Sequence, residues 1–152
     1  MNIVAAIDFS PVTEQVLQAL ERIGTSMPAH VWLVHVAPPD PDFVGYGTGP
    51  DGVRSQVAVE HRDRHRELQG HADRLRTAGV ETTALLLQGP TVDTLIAEAN
   101  HLSATLIVLG SHGHGRIYDM LVGSVAEGVV RASTLPVLLV PANQKRGRNP
   151  LP

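Results

Sequence analysis

The chain has 152 residues, of which 43% are hydrophobic and 18% charged, and its formal net charge is −3. A chain of this length and composition is expected to form one domain with a substantial core. The slightly acidic balance creates no field that would attract nucleic acid or an anionic membrane. The sequence contains no cysteine, which excludes disulfides and thiolate chemistry and is compatible with a reducing compartment.

We expect neither a membrane-spanning helix nor a secretory signal peptide in this chain. No apolar stretch approaches the roughly 20 residues that a membrane-spanning helix requires. The opening residues, MNIVAAID, contain no basic segment and reach Asp8 before an apolar signal segment could form. We therefore expect a soluble, unprocessed, cytoplasmic protein with no membrane or nucleic-acid partner. The basic residues 144–152 are expected to form a flexible tail, which is too short and too lightly charged to indicate nucleic-acid binding.

Short apolar runs alternate with helical patterns along the whole chain. In chain order, the predicted strands are residues 3–7, 31–37, 80–87, 105–109 and 136–140. The predicted helices lie between them and begin near residues 11, 53, 91 and 124. Strands that are apolar throughout and separated by helices are typical of a parallel sheet covered on both faces. With right-handed crossovers, the sequence predicts an α/β fold that is flavodoxin-like or Rossmann-like: a doubly wound, five-stranded parallel sheet with helices on both faces, as a single domain over residues 1–143.

Local signals predict where the first and last helices begin. Ser10 and Pro11 fit an N-cap followed by proline at the first helical position. Gly24, with a proline shortly after it, predicts the end of the first helix. Ser124 to Glu127 reads SVAE, which fits a capping box in which the Glu127 side chain reaches back to Ser124. The last helix is therefore predicted to begin at Ser124, with its first N–H groups facing the loop after the fourth strand.

That loop is polar and contains Gly110, Gly113 and Gly115. Glycines let a ligand approach the backbone closely, and free N–H groups at a helix start attract anions, so the loop and the last helix predict a phosphate site. In open α/β sheets, ligands bind beyond the carboxyl ends of the strands where the winding reverses. If the first and fourth strands are neighbours, Asp8 lies beside the loop, where a carboxylate suits the two hydroxyl groups of a ribose. The end of the second strand, near Val36, would then accept a flat base.

The loop is not a P-loop, because it contains no lysine and G-x-x-x-x-G-K-[ST] occurs nowhere in the chain. Phosphate charge would be met by backbone N–H groups, a bound cation and the side chains of Ser124, Arg116 and His112 or His114. Arg116 equally fits an ordinary surface arginine. Charge-assisted hydrogen bonds contribute about 1.5–3 kcal/mol each. Three or four of them could supply much of the roughly 8 kcal/mol that micromolar binding needs.

A spaced glycine motif gives the loop a specific resemblance. Gly110-x-x-Gly113, nine residues and then Gly123-Ser124 resembles the G-x2-G-x9-G-[S/T] signature of the ATP-binding branch of the universal stress protein family. The likeness extends over nearly the whole chain and includes the opening strand and turn, the second strand and the closing strand (residues 6–10, 33–36 and 135–141).

This resemblance implies three groups of binding residues and a cation. The ribose would be held by Asp8 and Gly110. The adenine would be framed by the backbone near Ala6, Val36 and Leu109. The phosphates, with Mg²⁺ or Mn²⁺ among them, would be held by Gly113, His114, Gly123, Ser124 and Val125. No side chain is expected to bind the cation directly.

The resemblance also implies a role and an assembly. We expect an ATP-binding protein that acts as a nucleotide-dependent binding or signalling module in the stress response, together with an unknown protein partner. Members of the family commonly form homodimers through the last strand, and Pro136 to Val140 is a short apolar edge that needs covering. We expect no catalytic residues and at most slow ATP hydrolysis, because Asp8 would be occupied by the ribose and no other general base is in place.

Two alternatives remain open. A nucleotide-free dimeric adaptor of the same fold would contain no bound nucleotide. A slow ATP hydrolase or a nucleotidyl transferase of the wider adenine-binding α/β group would need H-x-G-H or a serine–glycine loop after the first strand. Asp8-Phe9-Ser10-Pro11 provides neither motif.

The other histidines favour structural interpretations. His61 and His65 are four residues apart, a spacing compatible with metal binding on a helix. The arginines around them favour a solvated face instead. His112 and His114 have no third ligand nearby in the sequence. His35, inside an apolar strand, is expected to be a hydrogen-bonded core residue.

Overall fold

The computed structural model describes residues 1–38, 51–111 and 123–142, and for residues 51–57 it describes the backbone alone. Four of the candidate phosphate-binding residues lie outside the described residues: His112, Gly113, His114 and Arg116. The predicted tail, 144–152, also lies outside them.

Five strands alternate with four helices in the described ranges. The strands are β1 (Asn2–Ala6), β2 (His30–Ala37), β3 (Glu81–Gln88), β4 (Leu106–Gly110) and β5 (Val137–Val140). The helices are α1 (Thr13–Ser26), α2 (Asp51–Thr77), α3 (Thr91–His101) and α4 (Ser124–Ala132). The predicted type and order of these elements are confirmed. Within these ranges, no helix has both the length and the apolar character needed to cross a membrane.

The strands form one parallel sheet in the order β3-β2-β1-β4-β5. The chain winds from β1 outward to β3, then crosses β1 to reach β4 and continues outward to β5. Ala6, at the end of β1, is the register partner of Val34 on one side and of Leu109 on the other. The predicted doubly wound sheet, with the first and fourth strands as central neighbours, is confirmed.

The core consists of two layers, one on each face of the sheet. Ile3 and Ala5 of β1 pack in a cluster with the buried faces of α1 and α2, whereas Val4 packs in a second cluster with α3 and α4. Successive side chains of a strand point to opposite faces, so a strand buried on both faces must be apolar at every position. This explains why the central strands β1 and β4 appear in the sequence as continuous apolar runs.

The start of α1 differs from the prediction. The N-cap of the helix is Val12, which makes no side-chain capping bond, so the prediction of Ser10 as N-cap is wrong. Ser10 instead lies in a turn before the helix: its N–H donates to Asp8 Oδ1 at 3.0 Å and its carbonyl accepts from the N–H of Thr13 at 2.9 Å. The Asp8 carboxylate closes this turn, and a side-chain turn of this kind competes with helix initiation at Ser10.

The end of α1 also differs from the prediction. Gly24 lies inside the helix, which continues to Ser26. A Cβ atom on Gly24 would lie only 2.5 Å from Val80 Cγ1, so this glycine is required by packing against the residue before β3. The helix stops at Met27, where the chain becomes extended immediately before Pro28.

Candidate functional site

The carboxyl ends of β1 and β4 lie side by side at the centre of the sheet. Ala6 and Leu109 are register partners, and Asp8 and Ser111 each come two residues later along the chain. Adjacent strands are about 5 Å apart, so these two residues follow neighbouring strand ends. The winding reverses here, because the chain leaves β1 toward β2 and leaves β4 toward β5. This is the position at which open α/β sheets bind their ligands.

Backbone hydrogen bonds join the start of α4 to the end of β4. The N–H of Ser111 donates to the carbonyl oxygen of Val140 at 2.8 Å. The carbonyl oxygen of Ser111 accepts a hydrogen bond from the N–H of Gly123 at 2.6 Å. The two ends of the glycine motif, Gly110 and Gly123, are therefore brought together at one edge of the sheet.

The helix start is confirmed at Ser124, but the predicted capping box is wrong. Gly123 is the N-cap, with φ −71° and ψ 158°, and it makes no side-chain capping bond. The Glu127 carboxylate lies 2.8 Å from the guanidinium of Arg131, one turn further along the helix. A full positive charge at i+4 competes successfully with a neutral N–H for this carboxylate.

The first turn of α4 therefore presents free donors. The N–H of Glu127 donates to the carbonyl of Gly123, which closes the first turn of the helix. The preceding N–H groups, those of Ser124, Val125 and Ala126, have no acceptor within the helix. Ser124 and Val125 are exposed, and the positive end of the helix dipole lies at this turn. An oxyanion placed here would be stabilised by both effects.

The predicted adenine-framing residues come from three adjacent strands. Ala6 and Leu109 are register partners on β1 and β4, and Val36 lies on β2, two residues beyond the other partner of Ala6. Ala6, Val36 and Leu109 pack in the same cluster, on the α3 and α4 face of the sheet. The structure thus places the predicted residues that it describes at or beyond the carboxyl ends of the strands: Ala6, Asp8, Val36, Leu109, Gly110, Gly123, Ser124 and Val125.

Asp8 lines an open cleft of about 540 Å³ between the end of β1 and the first half of α2. Phe9 and the helix residues Val59, Glu60, Asp63, Arg64 and Glu67 form the rest of its lining. The described lining residues supply four carboxylates and one guanidinium, and their field disfavours phosphate and favours neutral or positive donors such as hydroxyl and amino groups. The cleft thus suits a neutral or positively charged ligand group, whereas the start of α4 suits a negatively charged one.

His35 lies beneath this cleft and is buried, with 6% of its surface exposed. Its Nδ1 is 2.8 Å from the carbonyl oxygen of Ile7, and its Nε2 is 3.3 Å from Arg64 Nη1. A carbonyl only accepts and a guanidinium only donates, so Nδ1 carries the proton and Nε2 is the acceptor of a neutral ring. Burial lowers the pKa of His35. The hydrogen bond to Ile7 raises this pKa, but its effect is smaller than that of burial. The predicted hydrogen-bonded core histidine is confirmed.

Arg64 and Phe9 are site residues that the sequence analysis missed. Arg64 belongs to a run of arginines that suggests a solvated helix face, yet it is half-buried while Arg62 and Arg66 are exposed. Its Nη2 lies 2.8 Å from Glu60 Oε1, and Nη1 faces His35. Only helical spacing relative to Leu68, a buried residue four positions later, could have indicated that Arg64 points inward.

The predicted absence of a side-chain metal site can be examined in part. Among the residues that the structure describes, no group of three or more histidine, cysteine, aspartate or glutamate side chains is arranged to hold a metal ion. His61 and His65 of α2 lie within that part of the chain.

Comparison with known proteins identifies the family. The model of the Universal stress protein family matches residues 1–141. Universal stress protein A homolog 1 of Coxiella burnetii is 31% identical over 140 residues, which cover 91% of this chain and 94% of that protein. A solved structure of a universal stress protein from Methanocaldococcus jannaschii has a TM-score of 0.79 at 22% identity and covers 94% of this chain and 96% of its own. A universal stress protein solved in complex with cAMP has a TM-score of 0.63 at 25% identity and covers 94% of this chain and 98% of its own. The chain belongs to the universal stress protein family.

Proposed function

We propose that this protein binds ATP at the carboxyl ends of β1 and β4 and acts as a nucleotide-dependent binding or signalling module in the stress response. The observation that carries the proposal is the 2.6 Å hydrogen bond from Gly123 to Ser111. It holds the free N–H groups of α4 next to the strand end that neighbours Asp8. The family member solved with cAMP supports an adenine nucleotide as the ligand.

The charges at the site suggest how the nucleotide lies. The phosphates would bind at the first turn of α4, where Ser124 and backbone N–H groups offer donors. The ribose hydroxyls would donate to Asp8, at the acidic cleft that disfavours phosphate. The backbone of Ala6, Val36 and Leu109 would border the adenine. Mg²⁺ or Mn²⁺ would bind the phosphate oxygens and neutralise the charge that the helix start does not. Gly113, His114 and Arg116 are also proposed to contact the phosphates. Gly113 and His114 are proposed because they belong to the glycine motif, and Arg116 because of its positive charge.

The direct test is to denature the purified protein and identify any released nucleotide, and then to measure Mg-ATP affinity. We expect Asp8→Asn to weaken binding by about tenfold, because the carboxylate accepts charge-assisted hydrogen bonds from the ribose. Gly123→Val is expected to weaken binding by placing a side chain at the N-cap. The matched control is Asp63→Asn, a carboxylate in the same cleft on α2, which should retain wild-type affinity.

The same measurements separate the alternatives. ATP at 100 times its dissociation constant should stabilise the wild-type protein by about 2.7 kcal/mol. Absence of released nucleotide, together with an unchanged melting temperature in Mg-ATP, would overturn the proposal in favour of a nucleotide-free adaptor. Multiple-turnover hydrolysis above about 1 per second would favour an enzyme instead.

We further propose that the protein forms a homodimer through Pro136 to Val140. β5 bonds to β4 along one edge, and no other strand in the described ranges pairs with its second edge. Leu138, in the middle of β5, is 37% exposed, so a second copy seated on this edge would remove apolar surface from water. A second copy would cover this edge. The two sheets of the dimer would then be continuous through β5, and the bound nucleotide would influence a protein-binding surface next to them.

A further inference from the structure

The two residues that flank Asp8 are both held by one buried side chain. His35 Nδ1 donates to the carbonyl oxygen of Ile7 at 2.8 Å. The ring of Phe9 lies against the same imidazole, with centroids 4.6 Å apart and planes inclined at 47°. His35 is on β2, 27 residues after Asp8, so this contact depends on the pairing of β1 with β2.

The backbone at Phe9 needs such support. Its φ is 59°, in the left-handed region that bulky side chains rarely adopt. A residue in this conformation persists only when its surroundings hold it there. Asp8 thus stands between an anchored carbonyl at Ile7 and a strained residue whose ring is packed in place.

The imidazole is itself held from the opposite side. Its Nε2 faces Arg64 Nη1 at 3.3 Å, and Arg64 is fixed by Glu60 at 2.8 Å. The ring of His71 also lies near the Phe9 ring, with centroids 6.2 Å apart and planes inclined at 23°. The ring of His35 therefore has a defined orientation. Through its contacts with Ile7 and Phe9, it restrains the backbone on both sides of Asp8.

We propose that His35 is a positioning residue that holds the Asp8 carboxylate in the direction required to accept the ribose hydroxyl groups. The inference rests on the proposed nucleotide-binding function. His35 does not contact the nucleotide itself, and its effect passes through the Ile7 carbonyl and the Phe9 ring.

Protonation of His35 would disturb this arrangement. Nε2 would become a donor facing the donors of Arg64, so the contact would turn repulsive. Among the described residues, the charged groups that act on the ring are Arg64 and Glu67 of α2 and Asp8 after β1. Two further titratable groups lie beyond these neighbours: Glu60 pairs with Arg64, and His71 lies near the Phe9 ring. The two facing carboxylates favour the charged ring, but burial and Arg64 oppose it. Ribose recognition should therefore weaken in mild acid.

The test compares ATP with 2′,3′-dideoxy-ATP, which lacks both ribose hydroxyls, and uses the ratio of their dissociation constants. The wild-type ratio should be about tenfold, the worth of a charge-assisted hydrogen bond, and Asp8→Ala should bring it to about one. His35→Leu removes the donor to Ile7 and should also bring the ratio to about one, with affinity for dideoxy-ATP unchanged. His35→Asn retains an N–H near the Nδ1 position and should restore most of the ratio. His30→Leu, a half-buried histidine at the other end of β2, is the control.

Three results decide the inference. If His35→Leu has the same ratio as the wild-type protein, the inference is overturned and the proposed function stands. If the wild-type protein binds no nucleotide, or binds ATP and dideoxy-ATP equally well, neither His35 nor Asp8 takes part in ribose recognition. If His35→Leu does not fold, the pH profile of His35→Asn decides. The wild-type ratio should be constant above about pH 6.5, the ordinary pKa of histidine, and should fall as the pH drops below it, whereas that of His35→Asn should stay flat. Both ligands carry the same triphosphate, so the effect of its titration cancels in the ratio of their dissociation constants. An equal fall of this ratio in the wild-type protein and in His35→Asn would refute the role of His35.

Discussion

Gly123 donates its backbone N–H to the carbonyl oxygen of Ser111 at 2.6 Å, which ties the start of α4 to the end of β4. Ser111 in turn donates to Val140 at the end of β5. The first turn of α4 is thus attached to two strand ends, and its free N–H groups are fixed relative to the sheet without any side-chain cap. The nucleotide that we propose as the ligand would meet a helix start that is already ordered, which lowers the ordering cost of binding.

Ser124 should matter for ligand binding and little for the stability of the nucleotide-free protein. It is the first residue of α4 and not its N-cap. Ser124→Ala is expected to change the free energy of unfolding by less than about 0.5 kcal/mol and to weaken Mg-ATP binding by about tenfold. Urea denaturation without nucleotide and calorimetric titration measure the two effects. A loss of about 1 kcal/mol in the nucleotide-free protein would show that Ser124 caps the helix after all.

Two helical glycines should respond to alanine with opposite signs. Gly24 has Val80 Cγ1 only 2.5 Å from the position of a Cβ, and Val80 is buried and stiff at its branched Cβ. Gly24→Ala should lower the free energy of unfolding by about 1–3 kcal/mol. Gly70, in α2, has no atom within 4 Å of its Cβ position, so Gly70→Ala should raise it by about 0.5–1 kcal/mol. Each 1 kcal/mol should move the melting temperature by about 2–4 °C. Equal shifts of the same sign would contradict the packing of α1 against Val80.

Arg74 joins α2 to α1 and should contribute more than an isolated surface ion pair. Its guanidinium lies 2.6 Å from Glu14 Oε2 and 2.8 Å from Glu21 Oε1. The groups are partly exposed, so we expect Arg74→Ala to cost about 1 kcal/mol, at the upper end of surface pairs. Arg66→Ala is the control, because Arg66 is 80% exposed and pairs within its own helix. Thermal denaturation at low and high salt should show a larger salt dependence for wild type than for Arg74→Ala.

The pH dependence of this link follows from Glu14. The hydrogen bond from Arg74 is the largest cause of a lowered Glu14 pKa, relative to an ordinary value of 4.5. A carboxyl whose pKa is lowered on folding contributes stability that is complete above the unfolded pKa and is lost as the pH falls through the folded value. Wild type should therefore lose its advantage over Arg74→Ala below about pH 4.5. A constant difference down to pH 3 would show that the advantage comes from packing of the arginine stem.

His35 should produce a separate loss of stability at a higher pH. Burial lowers its pKa from an ordinary value of 6.5. The unfolded chain then binds a proton before the folded protein does, so the free energy of unfolding is constant above about pH 6.5 and falls as the pH drops toward the folded pKa. Urea denaturation of wild type and His35→Asn between about pH 7.5 and 5 should show a steeper fall for wild type. Parallel curves would show that His35 is not held neutral by burial.

Leu138 tests the proposed dimer. Leu138→Glu would place like charges at the facing edges of two β5 strands, where repulsion and loss of apolar contact both oppose association. We expect wild type to sediment as a dimer and Leu138→Glu as a folded monomer. Met27→Glu, at an exposed methionine after α1, is the control and should remain dimeric. A monomeric wild-type protein, or a dimer unaffected by Leu138→Glu, would exclude this edge as the interface.

Much of the fold was predictable because burial on both faces leaves a direct mark on the sequence. The central strands β1 and β4 contain continuous apolar runs, residues 3–6 and 106–109, and the alternation with helices restricts the order of winding. The closeness of Asp8 to Gly110 follows from the same rule, since the ends of neighbouring parallel strands must meet at one edge. These features depend on the polarity of consecutive residues, which the sequence displays directly.

Individual side-chain contacts could not be predicted in this way. Glu127 matched a capping box, yet it pairs with Arg131 because that charge is within reach on the folded helix. Gly24 resembled a helix stop until packing placed Val80 against it. His35 and Arg64 face each other only because β2 and α2 pack together, 29 residues apart in the chain.

The sequence by itself therefore determined the order of the strands and helices, the family and the edge of the sheet at which we propose that the nucleotide binds. Only the tertiary structure decided which groups support Asp8 and how the start of α4 is attached. The physical reason is that backbone preference and burial act on neighbouring residues. Hydrogen-bond partners and close packing depend instead on which distant groups the fold brings within a few ångströms of each other.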